Sequence, residues 1–407
     1  MEARKWGLSA QALEDLQARF DQAFPQDTGA RRLLVCAPGR SEIAGNHTDH
    51  EGGQVIACAV DRYVTGIFLA RQDDLAQVRS EGYDPLTLDL SSLDPREGEK
   101  NTTAALVRGL AAGFAAAGCG QPGARGFDCL IQSQVPAGSG LSSSAAFELE
   151  VAQALNALWA QGSLDPLTLA RMSQAAERDF FGKPCGLMDQ ASVAVGGLAR
   201  MDFHESQAKV AKLDADFGKM GFALVLVAVG ADHAANTQDY AAVPQEMQAV
   251  ARRLGAERLS DVTEEVLFDN LASLREALGD RPVLRALHYF REDRFVDGRA
   301  LALEAGDIRR FLKLTRASGA SSAMYLQNVS VAGASTQPAM VALALSEELL
   351  LGSGASRIHG GGFGGTIQAF VPLDRVESYC RTMDKALGAG AAQVYAVDHE
   401  GARFTWL

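Results

Sequence analysis

The stretch Val135-Pro-Ala-Gly-Ser-Gly-Leu-Ser-Ser-Ser-Ala-Ala-Phe147 constrains this chain more than any other, because two different periodicities meet in it. Upstream, Phe127 to Ser133 alternates apolar and polar residues like a strand. Downstream, Leu149, Ala152, Leu155 and Leu158 recur at helical spacing. A strand therefore enters the loop and a helix leaves it. Gly138 and Gly140 allow backbone turns closed to other residues, and Ser142, Ser143 and Ser144 stand where helix-capping hydroxyls belong. Small residues and free N–H groups at a helix N-terminus favour an anion, and a phosphate chain needs several such donors at once. Taken alone, the loop also fits an ordinary strand-to-helix turn. The G-x-x-x-x-G-K-[ST] loop is excluded, since its Lys-Ser/Thr pair is absent.

Composition narrows the class. With 407 residues, 47% hydrophobic and 22% charged, the chain reads as a globular protein of two or three domains. A formal net charge of -12 argues against nucleic acid or an anionic membrane as a partner. The apolar run Phe222 to Val229 is too short to span a bilayer and reads as a buried strand. The N-terminus reads as an amphipathic helix rather than a secretory signal, so a cytoplasmic location is expected. Six dispersed cysteines, with no C-x-x-C pair, are expected to be reduced thiols.

Along the chain, Arg32 to Ala37 predicts a strand ended by Pro38-Gly39, and the dense polar run from Arg40 to Glu51 predicts a loop. Gln54 to Val60, Val64 to Ala70 and short strands between Val78 and Leu90 follow, then a small-residue helix from Thr102 to Ala117. A helix over Leu164 to Phe181 should stop at Gly182-Lys183-Pro184. The charged, weakly periodic stretch near Phe203 to Met220 marks a lobe boundary, giving domains 1–205 and 206–407. The second lobe should open with the strand 222–229. Helices at Val243–Leu254, Glu264–Leu278, Pro282–Glu304, Ile308–Ala317 and Pro338–Leu351 come next, and a strand runs from Thr366 to Val371. Before that strand, Gly360, Gly362 and Gly365 satisfy G-x-G-x-x-G. A dinucleotide loop must open a helix, however, so the cluster reads instead as a glycine hairpin or as backbone making room for a ligand.

In combination these segments resemble the GHMP small-molecule kinases. Pro136 to Ala145 is similar to that superfamily's phosphate loop, and His359 to Gly365 to its C-terminal glycine motif. Within it, Ala37-Pro-Gly-Arg-Ser-Glu-Ile-Ala-Gly-Asn-His-Thr-Asp-His-Glu-Gly-Gly53 resembles the galactokinase signature, and Cys185-Gly-Leu-Met-Asp-Gln190 its C-G-I-M-D-Q element. The resemblance implies an α+β, two-lobed fold: a ribosomal-protein-S5-like N-terminal lobe, a ferredoxin-like C-terminal lobe and the active site between them. It implies an enzyme that transfers the γ-phosphoryl of MgATP to the anomeric hydroxyl of galactose or a close relative; a monomer is the expectation, although the sequence does not fix the oligomeric state.

Phosphoryl transfer is mainly positioning and charge stabilisation, so it needs a phosphate cradle, a metal ligand, a cation and a proton acceptor. By resemblance, the cradle is Gly138, Ser139, Gly140, Leu141, Ser142, Ser143 and Ser144. Ser144 and Glu177 are the implied Mg2+ ligands, and Arg40 and Asp189 the catalytic pair. Asn46, His47, Asp49, Gly186 and Tyr240 are the implied sugar contacts. An ordinary loop arginine, turn-capping aspartates and a solvated helix carboxylate are the competing readings of Arg40, Asp189, Asp49 and Glu177.

Departures from the family pattern bear on the substrate. Asn46 stands where the family has glutamate, and His50 where it has tyrosine. Asn both donates and accepts, so a sugar with a carboxylate, such as galacturonate, is an alternative acceptor. Ala228 to His233 replaces the Asn-Ser and basic residues expected there. Thr103 and Leu106 replace aromatic residues of the adenine region, which weakens base stacking. A non-catalytic sugar and ATP sensor is a further alternative of a different class.

Overall fold

A computed structural model describes residues 3–25, 31–136, 140–205, 207–230, 237–331, 333–363 and 365–407. Its strands are β1 (Leu33–Ala44), β2 (Gln54–Ala70), β3 (Leu75–Ser80), β4 (Leu86–Asp89), β5 (Phe127–Ser133), β6 (Leu198–Asp202), β7 (Lys209–Leu213), β8 (Phe222–Ala228), β9 (Ala355–Ile358), β10 (Thr366–Pro372), β11 (Ala392–Tyr395) and β12 (Arg403–Trp406). Its helices are α1 (Ala10–Ala23), α2 (Thr103–Ala116), α3 (Ser143–Ala160), α4 (Pro166–Ala175), α5 (Met188–Val195), α6 (Thr237–Arg253), α7 (Glu264–Asp269), α8 (Leu271–Leu278), α9 (Asp280–Glu304), α10 (Ile308–Ser321), α11 (Pro338–Leu350) and α12 (Val376–Leu387). The α+β class expected from the sequence is what the chain adopts.

Contact density divides the chain into two units. The first comprises residues 1–40, 59–197 and 398–407, and the second comprises residues 41–58 and 198–397. One of these divisions falls near the single boundary expected at 205, but the exchange of 41–58 and 398–407 is invisible to a reading that cuts the chain once.

In the first unit the strand order is β12-β1-β2-β5-β3-β4. β12 runs antiparallel to β1, β5 antiparallel to β2, and β3 parallel to β5. On one face α1 buries Leu16 and Phe20 with Leu34, Ile67, Leu69 and Leu130. That helix begins where Ser9 accepts a hydrogen bond from Ala12 N–H, a side-chain cap of the expected kind. α4 begins the same way, with Asp165 capping Leu167 and Thr168 and with Pro166 in the first turn.

Two local expectations are overturned here. β1 does not stop at Pro38-Gly39; it continues to Ala44, and all twelve of its residues are buried. The polar residues of the run survive burial because each has a partner: Arg40 bonds Asp189, Ser41 bonds His359, and Glu42 bonds Arg357. The loop proper is confined to 45–53. Likewise, Ser142 precedes α3 in the left-handed conformation (φ 55°) and makes no capping bond. Its hydroxyl turns to Asp189 instead.

In the second unit β11-β8-β10-β9 form an antiparallel sheet. Val225, Val227, Ile358, Ile367, Ala369 and Val371 share a core with Ala339, Ala342 and Leu350 of α11 and Tyr379 and Met383 of α12. The glycine cluster joins β9 to β10, so it is a hairpin and opens no helix. The first five residues of β2 pair with β6, which pairs with β7. The sequence reading did not find α12, β11 or β12, and it ran α7 and α8 together across Asn270.

Two helices end in a π-helical turn: Ala176–Phe181 after α4, closed by Gly182 at φ 91°, and Ser322–Leu326 after α10, closed by Gln327 at φ 59°. Each lies beside one of the polar clusters described next. Among the described residues no helix is long and apolar enough to cross a membrane. All six cysteines are free thiols.

Candidate active site

Within the first unit, β1 delivers Arg40 and the first turn of α5 delivers Asp189. Arg40 Nε donates to Asp189 Oδ1 at 2.7 Å and Nη2 donates to Oδ2 at 2.9 Å. Arg40 Nη1 donates to the Gly140 carbonyl of the glycine-serine loop, and its backbone N–H donates to the Leu141 carbonyl. Ser142 Oγ donates to Asp189 Oδ2. Burial would raise the Asp189 carboxyl, but the Arg40 guanidinium and the Ser142 hydroxyl more than offset it, so its pKa lies below the ordinary carboxylate value. Asp189 is therefore ionised and oriented, with its side chain 33% exposed.

A second carboxylate group lies in the same unit. Glu177 sits in the π-helical turn, and its oxygens accept from Lys183 Nζ at 2.8 Å and from Gln190 Nε2 at 2.7 Å. Gln190 Nε2 also reaches Glu148 Oε2 at 3.1 Å. The other oxygen of Glu148 is buried with no hydrogen-bond partner. Burial, and then the charge of Glu177, raise the Glu148 pKa, which keeps this side chain protonated where an ordinary glutamate would be ionised. Sequence reasoning missed Lys183, Gln190 and Glu148. Gln190 carried a signal, since it completes the Met-Asp-Gln element.

The remaining cradle residues are placed as follows. Leu141 is buried, Ser143 opens α3, and Ser144 is exposed on its first turn. Gly186 is exposed just before α5. Gly138 and Ser139 lie outside the described residues, as do Ala231, Asp232 and His233 of the Ala228–His233 run. Thr103 opens α2 and Leu106 is buried in it.

Within the second unit the signature loop meets the glycine hairpin. His47, in the left-handed region at φ 61°, donates from Nε2 to the Gly361 carbonyl at 2.8 Å. That bond fixes the tautomer, because a carbonyl only accepts, so Nδ1 takes a hydrogen bond from His50 Nε2 at 3.1 Å. Burial, reinforced by His50, lowers the His47 pKa to about 3, so the ring is neutral. The Tyr240 ring lies 5.4 Å from the His47 ring, centroid to centroid. Gly361 has no room for a side chain, since a Cβ there would come within 2.0 Å of Tyr240 Cε2. Asp49 opens the short turn Asp49–Glu51, whose end at Gly52 is held by the Asp49 carbonyl.

Asn46 behaves differently from the sugar contact the sequence suggested. It is fully buried: its amide donates to the Gly360 carbonyl, and its oxygen accepts from Ser322 Oγ at 3.2 Å and Asn328 Nδ2 at 2.7 Å. Beneath it, α9 presents a polar face at helical spacing. His288 Nε2 bonds the Asn46 carbonyl at 2.9 Å, and Glu292 accepts from Gly45 N–H at 3.1 Å, from Ser318 at 3.0 Å and from Arg299. Burial would raise the Glu292 pKa, but the Arg299 charge reverses this and brings it to about 2. Sequence reasoning did not single out these polar residues of α9, all of which are buried.

Two family models match the chain: the GHMP kinases N terminal domain over residues 105–197 and the galactokinase galactose-binding signature over residues 18–68. The fold is similar to that of Lactococcus lactis galactokinase complexed with galactose (TM-score 0.80, 24% identity, covering 96% of this chain and 99% of that one). It is also similar to Methanococcus jannaschii mevalonate kinase (TM-score 0.63, 15% identity, covering 93% and 98%). A glycine-serine loop tied by an arginine to the aspartate of a Met-Asp-Gln turn, on this fold, defines a small-molecule kinase of the GHMP class. The galactokinase of Roseiflexus sp. is 34% identical over 91% of both chains, and that of Streptomyces coelicolor 30% identical over 90% of this chain and 92% of its own. The chain belongs to the galactokinase family.

Proposed function

We infer that this chain is a galactose 1-kinase, transferring the γ-phosphoryl group of ATP to the anomeric hydroxyl of galactose. Family membership supports the reaction, and the two-point Arg40–Asp189 pair beside the glycine-serine loop is the observation that supports its mechanism. In that mechanism the ionised Asp189 accepts or directs the proton of the sugar hydroxyl, whose oxygen bonds to the γ-phosphorus as the bond to the β–γ bridging oxygen breaks and ADP leaves. Arg40 keeps Asp189 ionised and offsets charge on the transferring group. Ser142 holds the second Asp189 oxygen. Gly140 to Ser144, with Gly138 and Ser139, serve as the phosphate cradle.

Ser144 and Glu177 are proposed to hold Mg2+. A hydroxyl and a carboxylate suit a hard, oxygen-preferring cation, and a buried, ionisable Glu177 beside the partnerless Glu148 oxygen fits a site built for positive charge. The ion would neutralise charge on the phosphates. Within the second unit, His47, Asp49 and Tyr240 are proposed to contact galactose, and Gly186 is proposed for the same role in the first.

The galacturonate alternative is not favoured. It rested on Asn46 facing the sugar, and that side chain is committed to Gly360, Ser322 and Asn328. The sensor alternative is not favoured either, because the relatives matched over about 90% of the chain are galactokinases. Screening galactose, galacturonate, glucose and arabinose with ATP tests the reading: galactose should give the highest kcat/KM, and a uronic acid prevailing would overturn it.

A further inference from the structure

Lys183 has no role in the reading above, yet its ammonium lies 2.8 Å from the carboxylate proposed to hold the metal. The backbone brings it there. After the π-helical turn, the N–H groups of Gly182 and Lys183 both bond the Glu177 carbonyl, at 3.0 and 3.1 Å, so the chain folds back over Glu177 before Pro184. The two partners are unequal. The Glu177 side chain is 5% exposed and held from its other oxygen by Gln190, whereas that of Lys183 is 57% exposed. The carboxylate is the fixed member of the pair and the lysine the movable one. Lys183 also acts electrostatically on Asp189 and Glu148, which places it in the same carboxylate group as the proposed catalytic residues.

An ammonium and a divalent cation compete for a carboxylate oxygen, since both take their stabilisation from the same charge. We propose that Lys183 is a positioning residue that holds Glu177 while no metal is bound and turns its ammonium to the nucleotide phosphates when Mg2+ takes the carboxylate. The proposal rests on Glu177 being a metal ligand. A four-carbon stem in solvent gives the lysine the freedom to make that exchange without moving the backbone.

The role predicts opposite changes in two binding constants. Without metal, Lys183 neutralises Glu177, which would otherwise repel the phosphates; with metal, the ion must first displace the ammonium from that carboxylate. Calorimetric titration of ADP and of a non-hydrolysable ATP analogue, without sugar, in EDTA and in saturating Mg2+, reads both. Lys183→Met should weaken metal-free binding and increase the enhancement of binding by Mg2+ by about threefold, the scale of a partly exposed ion pair. Lys183→Arg, which keeps the charge, should restore the wild-type enhancement. A general loss of structure would lower both constants together. An unchanged enhancement in Lys183→Met, while Glu177→Gln abolishes it, would overturn the role of Lys183 and leave Glu177 as the ligand. An enhancement that survives Glu177→Gln would overturn both. Galactose turnover by Lys183→Met, measured in parallel, reports on the kinase reading separately.

Discussion

Arg40 and Asp189, 149 residues apart in sequence, meet through two parallel hydrogen bonds of 2.7 and 2.9 Å. The fork matches one planar cation to both oxygens of one carboxylate, a geometry that lysine cannot reproduce. Arg40→Ala and Asp189→Ala should each lower kcat by at least about 10²-fold, the low end for losing a general acid–base partner, while ATP binding persists. Arg40→Lys should recover only part of that loss. Steady-state kinetics with calorimetric nucleotide binding checks both, and near-normal turnover in any of these variants removes that residue from its role.

Ser142 combines a left-handed backbone with a hydroxyl on Asp189, and the two can be separated by substitution. Ser142→Ala and Ser142→Gly both remove the hydroxyl and should reduce kcat. Only alanine retains the backbone strain, so the glycine variant should be the more stable by about 1 kcal/mol. Denaturant melts beside kinetics resolve the two effects.

Glu150 on α3 is buried with neither carboxylate oxygen hydrogen-bonded, and burial holds its pKa well above the ordinary value of 4.5. Above 4.5 the unfolded chain releases this proton while the folded chain retains it, so the group lowers stability progressively as pH rises towards its folded value. Glu150→Gln should therefore raise Tm, by more at pH 8 than at pH 5. Equal shifts at both pH values would show that the carboxyl is ionised or solvated in the folded chain.

His47 and His288 titrate in the opposite sense. Burial depresses both, and His47 reaches about 3 against an ordinary 6.5. Between these values the unfolded chain binds protons that the folded one excludes, so stability is lost as pH falls below about 6.5. Thermal melts from pH 7 to pH 4 should show the loss, and His288→Gln should reduce its slope.

Glu292 and Arg299 are a fully buried pair that supports Gly45 and Ile43. Removing one partner leaves a buried charge alone, at a cost of about 3–5 kcal/mol. Glu292→Leu with Arg299→Met should be more stable than either single variant, yet it should still raise KM for galactose, because the Gly45 N–H loses its acceptor. A double variant no more stable than the singles would show that the pair is not coupled.

Much of the site was legible because motif residues carry their chemistry locally. Arg40, Asp189 and Ser142 meet within the first unit, and His47 and Tyr240 meet at the glycine hairpin within the second. The loop expected over Arg40 to Glu51 failed because polarity was equated with exposure. The run from Arg40 to Ala44 is polar and buried, and it extends a strand, because Asp189, His359 and Arg357 satisfy it from distant parts of the sequence. His288, Glu292 and Arg299 on α9 are likewise polar and buried. Asn46 was misjudged because its partners, Ser322 and Asn328, are some 280 residues away. Periodicity cannot register such pairings.

The two π-helical turns make chain length itself a determinant of this enzyme. Each holds one residue more than an α-helix would use to close the same turn, so dropping a single residue from Arg178–Phe181 restores the tighter coil. The flanking segments then rotate against each other by about 100°. Glu177 would swing out of reach of Gln190 with every side chain still present, so a one-codon deletion there should be more damaging than most substitutions.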